Sequence, residues 1–180
     1  MAVAYVPEKR SLKDIISLIL WRTFGQPLFR CVPTPFFELR VFILRGFGAT
    51  IGSKARIYPS VKIWLPRNLI IGSCVGVGEN VYLYNKALIS IGDHSVISGC
   101  AFICTASHEY NSPSFDLYAK PIHIDNYCWI ASHVIILPGV RLGEGSVIGA
   151  GSVLSKNTDP WIVYAGNPAI FRKRRQILRV

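Results

Sequence analysis

A chain of 180 residues, 51% of them hydrophobic, has the length of one domain and enough apolar side chains to bury a core, which excludes a disordered protein. No apolar run reaches the ~18 to 20 residues of a membrane-spanning helix, and Met1 to Lys9 lacks the pattern of a secretory signal peptide. The formal net charge of +10 favours a polyanionic partner: nucleic acid, anionic lipid or a phosphate-rich cofactor. We therefore expect a cytoplasmic protein with a basic surface.

The cysteines indicate neither a disulfide framework nor a zinc site. They are odd in number and no two form a Cys-x-x-Cys pair: Cys31, Cys74, Cys100, Cys104 and Cys128. Asp93, Asp125 and Glu144 also lack the spacing of metal ligands. We interpret the cysteines as free thiols in a reducing compartment and predict no metal site.

The first predicted element is an amphipathic helix from Ser11 to Phe24. Ser11 and Asp14 resemble a capping pair, and an apolar stripe follows at helical spacing: Leu12, Ile15, Ile16, Ile19 and Leu20. A break is expected from Pro27, Pro33 and Pro35, before a second short helix from Phe36 to Phe47. Residues 1–47 are thus predicted to form an N-terminal helical cap.

The first helix has two interpretations. Terminal coils of a repeat protein need caps, which favours a helix packed on the first coil. The composition is also typical of a helix in a membrane interface, because aromatic residues and cations flank the stripe: Trp21, Phe24, Lys9, Arg10, Lys13 and Arg22. The second interpretation predicts peripheral contact with the inner face of a membrane.

The middle of the chain repeats an aliphatic residue every six positions. The repeat comprises Ile51, Ile57, Ile63, Ile71, Val77, Leu83, Ile91, Ile97, Ile103, Ile124, Ile130, Ile136, Leu142, Ile148 and Leu154. A period of six fits neither a helix nor a simple amphipathic strand. It fits a three-sided coil in which the aliphatic residue points inward and glycines and polar residues serve the corners. Residues 48–160 are therefore predicted to form an all-β, parallel β-helix.

One long insertion interrupts the repeat. Twenty residues separate Ile51 from Ile71 and Ile71 from Ile91, but thirty-three separate Ile91 from Ile124. The excess forms a loop over residues 104–121. Repeat proteins place insertions on one face, and loops on rigid scaffolds carry function, so we expect the chemistry in this loop.

The C-terminal segment, residues 161–180, is predicted to be a basic tail. It contains the run Phe171-Arg-Lys-Arg-Arg175, and Ile170 to Leu178 is expected to form a short helix.

These motifs together resemble the hexapeptide-repeat O-acetyltransferases, and above all the group from colanic acid biosynthesis. The resemblance rests on the hexads, on Cys104-Thr-Ala-Ser-His108-Glu, on Ile148-Gly-Ala-Gly-Ser-Val and on Ala165-Gly-Asn-Pro-Ala. It implies a left-handed β-helix that assembles as a homotrimer, with active sites between subunits. It also implies acetyl transfer from acetyl-CoA to a sugar hydroxyl in exopolysaccharide or surface-glycan synthesis.

The resemblance also assigns roles to individual residues. His108 matches the catalytic base, and Asn85 the asparagine beside the acceptor sugar. Six residues match positions that contact the cofactor: Trp129, Ser132, Ala150, Ser155, Lys156 and Lys173. Two departures are that Ile170 stands where the galactoside enzymes have arginine, and that no acidic pair follows Asn85.

The imidazole of His108 suits the reaction, since a base with a pKa near ~6.5 can accept the hydroxyl proton and pass it to the departing thiolate. Either Glu109 or a backbone carbonyl is expected to orient the ring. Structural alternatives stay open for Asn85, in a turn or ladder, and for Trp129, as cover for a coil edge. Lys156 and the C-terminal cations could equally be a solvated surface.

Other functions of the same fold fit less well. A nucleic-acid-binding module would interleave aromatic and basic residues, which the sequence does not show. A carbonic-anhydrase-type β-helix needs three zinc-binding histidines, and His94, His123 and His133 lack that spacing. An amine or serine acetyltransferase and a non-catalytic scaffold remain as alternatives.

Overall fold

The computed structural model describes residues 11–177, in which helices precede a three-sided parallel β-helix. Helix α1 spans Leu12–Leu20 and runs through a π-helical turn, Trp21–Gly25, into α2, Gln26–Cys31; α3 spans Phe37–Gly46. A 3₁₀ turn, Pro66–Asn68, lies in the first coil. Lys9, Arg10 and Leu178, which the sequence predictions include, lie outside the described residues.

Three sheets form the sides of the coil. The first sheet contains β1 (Thr50–Ile51), β4 (Leu69–Ile71), β7 (Ile89–Ile91), β12 (Ile122–Ile124) and β15 (Arg141–Leu142). The second contains β2 (Arg56–Ile57), β5 (Gly76–Val77), β8 (Val96–Ile97), β13 (Trp129–Ile130), β16 (Val147–Ile148), β18 (Ile162–Ala165) and β19 (Ile170–Arg174). The third contains β3 (Lys62–Ile63), β6 (Tyr82–Tyr84), β9 (Phe102–Cys104), β14 (Ile135–Ile136) and β17 (Val153–Leu154).

The register of these sheets confirms the predicted repeat. Ile51 pairs with Ile71, which pairs with Ile91, and the hexad residues of the other two sheets stack in the same way. The stacked aliphatic side chains are buried and form one continuous core along the coil axis. Each coil therefore contributes a layer whose position is set by the layer below.

The corner glycines serve close stacking more than backbone bending. A Cβ on Gly92 would lie 2.6 Å from the backbone nitrogen of Asn126 in the next coil. The left-handed backbone conformation falls two residues later, at His94, with a φ of 58°. Glycine is thus required where two coils touch, while other residues adopt the strained conformation of the corner.

The N-terminal helices cover the open end of the first coil. Trp21 is buried and its indole N–H donates to the carbonyl of Ile63 at 2.9 Å. The buried guanidinium of Arg40 donates to four backbone carbonyls, those of Val32, Pro33, Thr34 and Ile57. The packing face of these helices is not the predicted stripe, whose members Leu12, Ile15, Ile16, Ile19 and Leu20 are all exposed.

Two predictions about the helices are wrong, one on where a helix ends and one on the type of an element. The helix does not break at Pro27, because the π-helical turn Trp21–Gly25 just before it changes the hydrogen-bond pattern and accommodates a residue without an N–H in continuous helical backbone. The predicted C-terminal helix is strand β19, antiparallel to β18. The basic segment satisfies the edge of the second sheet, which would otherwise expose unpaired backbone groups. None of the described helices has the length and apolarity needed to cross a membrane.

Candidate active site

The insertion in the repeat folds as a β-hairpin at one corner of the coil. Strand β10 (Ala106–His108) follows β9 and pairs antiparallel with β11 (Leu117–Ala119), and the chain then enters β12. The hairpin therefore projects from the corner between the third and first sheets. It places His108 at the end of β10, exposed to solvent.

A backbone carbonyl fixes the His108 ring. The Nδ1 atom lies 2.6 Å from the carbonyl oxygen of Phe115. Because a carbonyl oxygen only accepts, Nδ1 carries the proton and the neutral ring keeps its lone pair on Nε2. This is the tautomer that a general base requires, with the basic nitrogen turned away from the orienting group.

Glu109 makes its hydrogen bonds within the hairpin turn. Its Oε1 accepts from the backbone N–H of Asn111 at 3.1 Å, and its own N–H donates to the Asp116 carbonyl at 2.9 Å. The carboxylate thus stabilises the turn of the hairpin. Of the two candidates for orienting the ring, Glu109 and a backbone carbonyl, it is the Phe115 carbonyl that contacts the imidazole.

The Phe115 carbonyl is held by an unusual backbone conformation. Phe115 has a φ of 47°, in the left-handed region that non-glycine residues rarely adopt. Its N–H donates to the Ser112 carbonyl at 3.0 Å, and the Ser112 hydroxyl donates to Asp116 at 2.9 Å. These bonds close the turn and aim the carbonyl at His108.

Asn85 is fully buried at the same corner and bonded to the backbone. Its Oδ1 accepts from the N–H groups of Trp64 and Leu65, at 3.0 and 3.1 Å. Its Nδ2 donates to the carbonyls of Leu65 and Asn68, at 2.7 and 3.1 Å. This geometry matches the structural alternative, an asparagine that holds a turn. A contact between Asn85 and the acceptor sugar stays a prediction, which the buried position of the side chain does not favour.

The cofactor candidates fall into two groups. Ser155 and Lys156 follow β17 and are exposed at the corner that carries His108, two coils further along the axis. Trp129 and Lys173 lie in one row of the second sheet, joined through Val147 and Val163. Ser132 and Ala150 occupy equivalent positions in adjacent coils, beside the second sheet.

A single chain does not bring these two groups together. In a three-sided coil, the corner between the third and first sheets lies opposite the second sheet. His108, Ser155 and Lys156 are therefore on one side of the prism, and Trp129 with Lys173 on the other. Trp129 is 47% exposed, and its indole N–H donates to the Ser98 hydroxyl at 3.0 Å.

The outer face of the third sheet carries an aromatic cluster that the sequence predictions missed. Tyr82 stacks on Phe102 at 5.3 Å between ring centroids, and Trp64 meets Tyr84 edge-on at 5.0 Å. The coil length of 20 residues was the available signal, since it brings Trp64 beside Tyr84 and Tyr82 beside Phe102. Burial raises the pKa of Tyr82, the neighbouring Tyr84 adds to the rise, and Arg22 opposes it.

The remaining histidines lie apart from the hairpin. His94 and His133 occupy left-handed corner positions, and His94 stacks on Tyr127. His123 Nδ1 lies 2.8 Å from the Ser90 hydroxyl. Within residues 11–177, no three His, Cys, Asp or Glu side chains are grouped as metal ligands.

Known proteins resemble the chain in sequence and in structure. The family described as "Bacterial transferase hexapeptide (six repeats)" matches residues 121–156. A protein of Escherichia coli (strain K12) named as a colanic acid biosynthesis acetyltransferase, WcaF, is 41% identical over 162 residues, covering 90% of this chain and 89% of that protein.

Two solved structures share the architecture. A hexapeptide-repeat acetyltransferase of Vibrio cholerae O1 biovar eltor, VCA0836, complexed with acetyl-CoA, superposes with a TM-score of 0.87 at 24% identity over 94% of this chain and 93% of that chain. A galactoside acetyltransferase in complex with coenzyme A gives a TM-score of 0.79 at 26% identity over 94% and 86%. From the stacked hexads and the extent of these matches, the chain belongs to the hexapeptide-repeat acetyltransferases.

Proposed function

We propose that this protein is an O-acetyltransferase that moves an acetyl group from acetyl-CoA to a sugar hydroxyl in the synthesis of a surface polysaccharide. The observation that carries the proposal is the His108 imidazole, held by the Phe115 carbonyl with Nε2 available as a base. The resemblance to WcaF over 90% of the chain supports the donor and the class of acceptor.

The chemistry needs one proton to move twice. The sugar hydroxyl attacks the thioester carbonyl while His108 Nε2 accepts its proton. Backbone N–H groups stabilise the tetrahedral oxyanion. The intermediate then collapses, the C–S bond breaks, and the imidazolium returns the proton to the departing thiolate. The products are the sugar acetyl ester and free CoA, with His108 neutral again.

The same proposal assigns the cofactor to the six matched residues. Trp129 and Ser132 would contact the pantetheine, and Ala150 and Ser155 the remainder of CoA. The exposed ammonium groups of Lys156 and Lys173 would attract its phosphates.

A thiol-release assay with acetyl-CoA tests the catalytic role. His108→Ala is expected to lose ~100- to 10,000-fold in kcat while it still binds acetyl-CoA, because it removes proton transfer only. Glu109→Ala is the matched control in the same hairpin and should keep kcat within a few-fold. If His108→Ala retains a tenth of the wild-type kcat, the assignment is wrong. The acceptor screen includes sugars, amino sugars and serine.

The opposite positions of His108 and Trp129 support a homotrimer with each site between two subunits. His108→Ala and Trp129→Ala variants, each less active than wild type, should show more activity when they are unfolded and refolded together than the average of the two refolded separately. About one site in four would then combine two intact halves, since both subunits are drawn independently. No recovery, or a monomer mass by light scattering, would contradict shared sites.

The exposed stripe of α1 supports peripheral contact with anionic lipid. Leu12 is 78% exposed and Ile16 57%, and the cations Lys13 and Arg22 are exposed beside them. Wild-type protein should float with anionic vesicles at low salt, and Leu12→Ser/Ile16→Ser should not. Ile70→Ser, an exposed aliphatic change on the β-helix, is the control. Flotation that the double variant leaves unchanged would exclude α1 as the contact.

A further inference from the structure

The aromatic cluster on the third sheet borders a cationic cavity. The cavity has a volume of about 290 Å³, near the lower end of small-molecule pockets, and is lined by Arg22, Gln26, Lys62, Ile63, Trp64 and Tyr82. None of these six residues is acidic. We call this surface, made by Arg22, Lys62, Trp64, Tyr82, Tyr84, Lys86 and Phe102, the aromatic platform.

The cations of the platform lie over its rings. The Arg22 guanidinium carbon is 4.2 Å from the Trp64 ring centroid. The Lys86 ammonium is 5.4 Å from the Trp64 ring and 5.7 Å from the Tyr84 ring. Cation–π contacts of this kind hold the positive groups close to the faces of the rings.

The carboxylate on α1, the helix that precedes Arg22, is already paired. Asp14 accepts from Arg67 at 2.9 Å. Arg22 and Lys62 therefore place positive charge beside the aromatic rings of the platform. Rings of this kind pack against the C–H faces of a sugar, and cations beside them complement a carboxylate or phosphate on that sugar.

The platform lies close to His108 along the chain, because the third sheet leads directly into the hairpin. Tyr84 pairs with Cys104, and the Thr105 N–H and hydroxyl both contact the Tyr84 carbonyl. Four residues after Cys104 the chain reaches His108, a distance of at most about 13 Å in extended backbone. Ser155 follows β17 in the same sheet, on the far side of the hairpin. His108 thus stands between the platform and Ser155 and Lys156, two of the residues assigned to the donor.

We infer that the platform binds the acceptor and selects a sugar that carries a negative charge, such as a hexuronate or a sugar phosphate. The inference rests on the proposed function, because it takes His108 as the base of the same site. It adds the chemical class of the acceptor.

The test compares two acceptors that have the same hydroxyls and differ in charge at C6, a p-nitrophenyl hexuronamide and the matching p-nitrophenyl hexuronide. Wild-type protein should show a higher kcat/KM for the hexuronide, and added salt should reduce the preference. Arg22→Gln and Lys62→Gln should each lower that preference about two- to fivefold, which is the change in affinity that the loss of an exposed ion pair produces. The change should appear in the KM for the hexuronide and not in kcat. Equal kcat/KM values for both acceptors would overturn the inference.

Matched controls lie in the same parts of the fold. Arg56 occupies in β2 the position that Lys62 occupies in β3, so Arg56→Gln removes the same charge from another sheet. Arg30→Gln is the control for Arg22→Gln on the N-terminal helices. Controls that lower the preference as much as the platform variants would show an effect of net charge and overturn the inference.

Tyr84→Leu separates sugar binding from assembly. It should raise KM for both acceptors about two- to tenfold, as expected for the loss of a ring contact, without changing the molecular mass in solution. A variant that changes its mass and keeps its KM would show that the platform is a contact between subunits.

Calorimetry with His108→Ala keeps the two proposals apart. Binding of the hexuronide without transfer by wild-type protein to any acceptor would support the platform and contradict the proposed function. Transfer to neutral and charged sugars with equal kcat/KM would support the proposed function and contradict the platform.

Discussion

Replacing Asn85 separates its two proposed roles, and the structure gives the size of the effect. Asn85→Ala removes four hydrogen bonds at the corner between the third and first sheets. After the substitution, the Trp64 N–H still donates to the Leu83 carbonyl, and the Leu65 carbonyl still accepts from the Asn68 N–H. The pairing of Leu69 with Ile89 leaves the Asn68 carbonyl the Ile89 N–H, so among the described residues it is the Leu65 N–H that has Asn85 as its one partner.

The expected cost follows from this difference. A shared bond contributes about 0.5–1.5 kcal/mol, and a buried group left without a partner costs about 1–3 kcal/mol. With three shared bonds and one buried group left without a partner, we expect Asn85→Ala to lower the free energy of unfolding by roughly 2.5 to 7.5 kcal/mol. A sugar-binding asparagine would instead raise the acceptor KM and leave stability unchanged.

The assay is urea unfolding at one fixed protein concentration, because the stability of an oligomer depends on concentration. Asn111→Ala, in the exposed turn of the hairpin, is the control and should stay within about 0.5 kcal/mol of wild type. A loss below about 1 kcal/mol for Asn85→Ala, together with a raised acceptor KM, would refute the structural role.

A second variant, Asn85→Asp, predicts the direction in which stability changes with pH. Its second carboxylate oxygen would face the carbonyls of Leu65 and Asn68, so burial and these oxygens should raise its pKa in the folded state. A raised folded pKa gives stability that is complete below the unfolded value of ~3.9 and is lost as pH rises through the folded value. The variant should therefore be less stable at pH 7 than at pH 4, relative to wild type.

Three further predictions concern the hairpin, the cofactor and a buried thiol. Phe115→Gly should keep kcat within a few-fold of wild type, because glycine adopts the left-handed φ freely. Phe115→Pro fixes φ at a negative value, so it should turn the carbonyl away from His108 and lower kcat about 100-fold in the thiol-release assay. Lys156→Ala and Lys173→Ala should each raise KM about two- to fivefold for acetyl-CoA and less for acetyl-dephospho-CoA; equal effects on both donors would contradict contact with the ribose phosphate. Burial raises the pKa of Cys128 to about 11, so iodoacetamide at pH 8 should modify the exposed cysteines and spare Cys128. The protection of Cys128 from iodoacetamide should be lost in urea. Because the pKa of this thiol is raised in the folded state, its contribution to stability is complete below pH ~9 and is lost as pH rises toward 11.

The core of the fold could be predicted because its period is a physical constraint. Each coil must place an aliphatic side chain against the layer below, so the sequence positions of Ile51, Ile71 and Ile91 already define three stacked layers. The edges were less predictable. The run from Ile170 is basic and has no strand pattern of its own, and it becomes β19 because β18 leaves a sheet edge to be paired.

The site divides in the same way. His108 could be predicted from its place in the insertion and from the family phrase. Its orienting group could not, since the contact depends on a left-handed residue seven positions away, at Phe115. Neighbouring sequence suggested Glu109, but adjacent residues on a strand point to opposite faces.

All departures from the bare repeat fall at one corner of the coil. The inward residues Ile63 and Ile71 are eight positions apart, as are Leu83 and Ile91, whereas Ile136 and Leu142 are six apart. The extra residues of the first two coils therefore lie between the third and first sheets, where the Asn85 side chain holds them together.

The hairpin with His108 leaves from this same corner in the third coil, and Lys156 lies at it in the last. The two widened coils also contribute Trp64 and Lys86 to the platform. A repeat that stays regular on two sides and grows on one keeps its core intact while it builds a site. The lengths of successive coils along the sequence therefore predict the corner of such a β-helix at which to test for the chemistry.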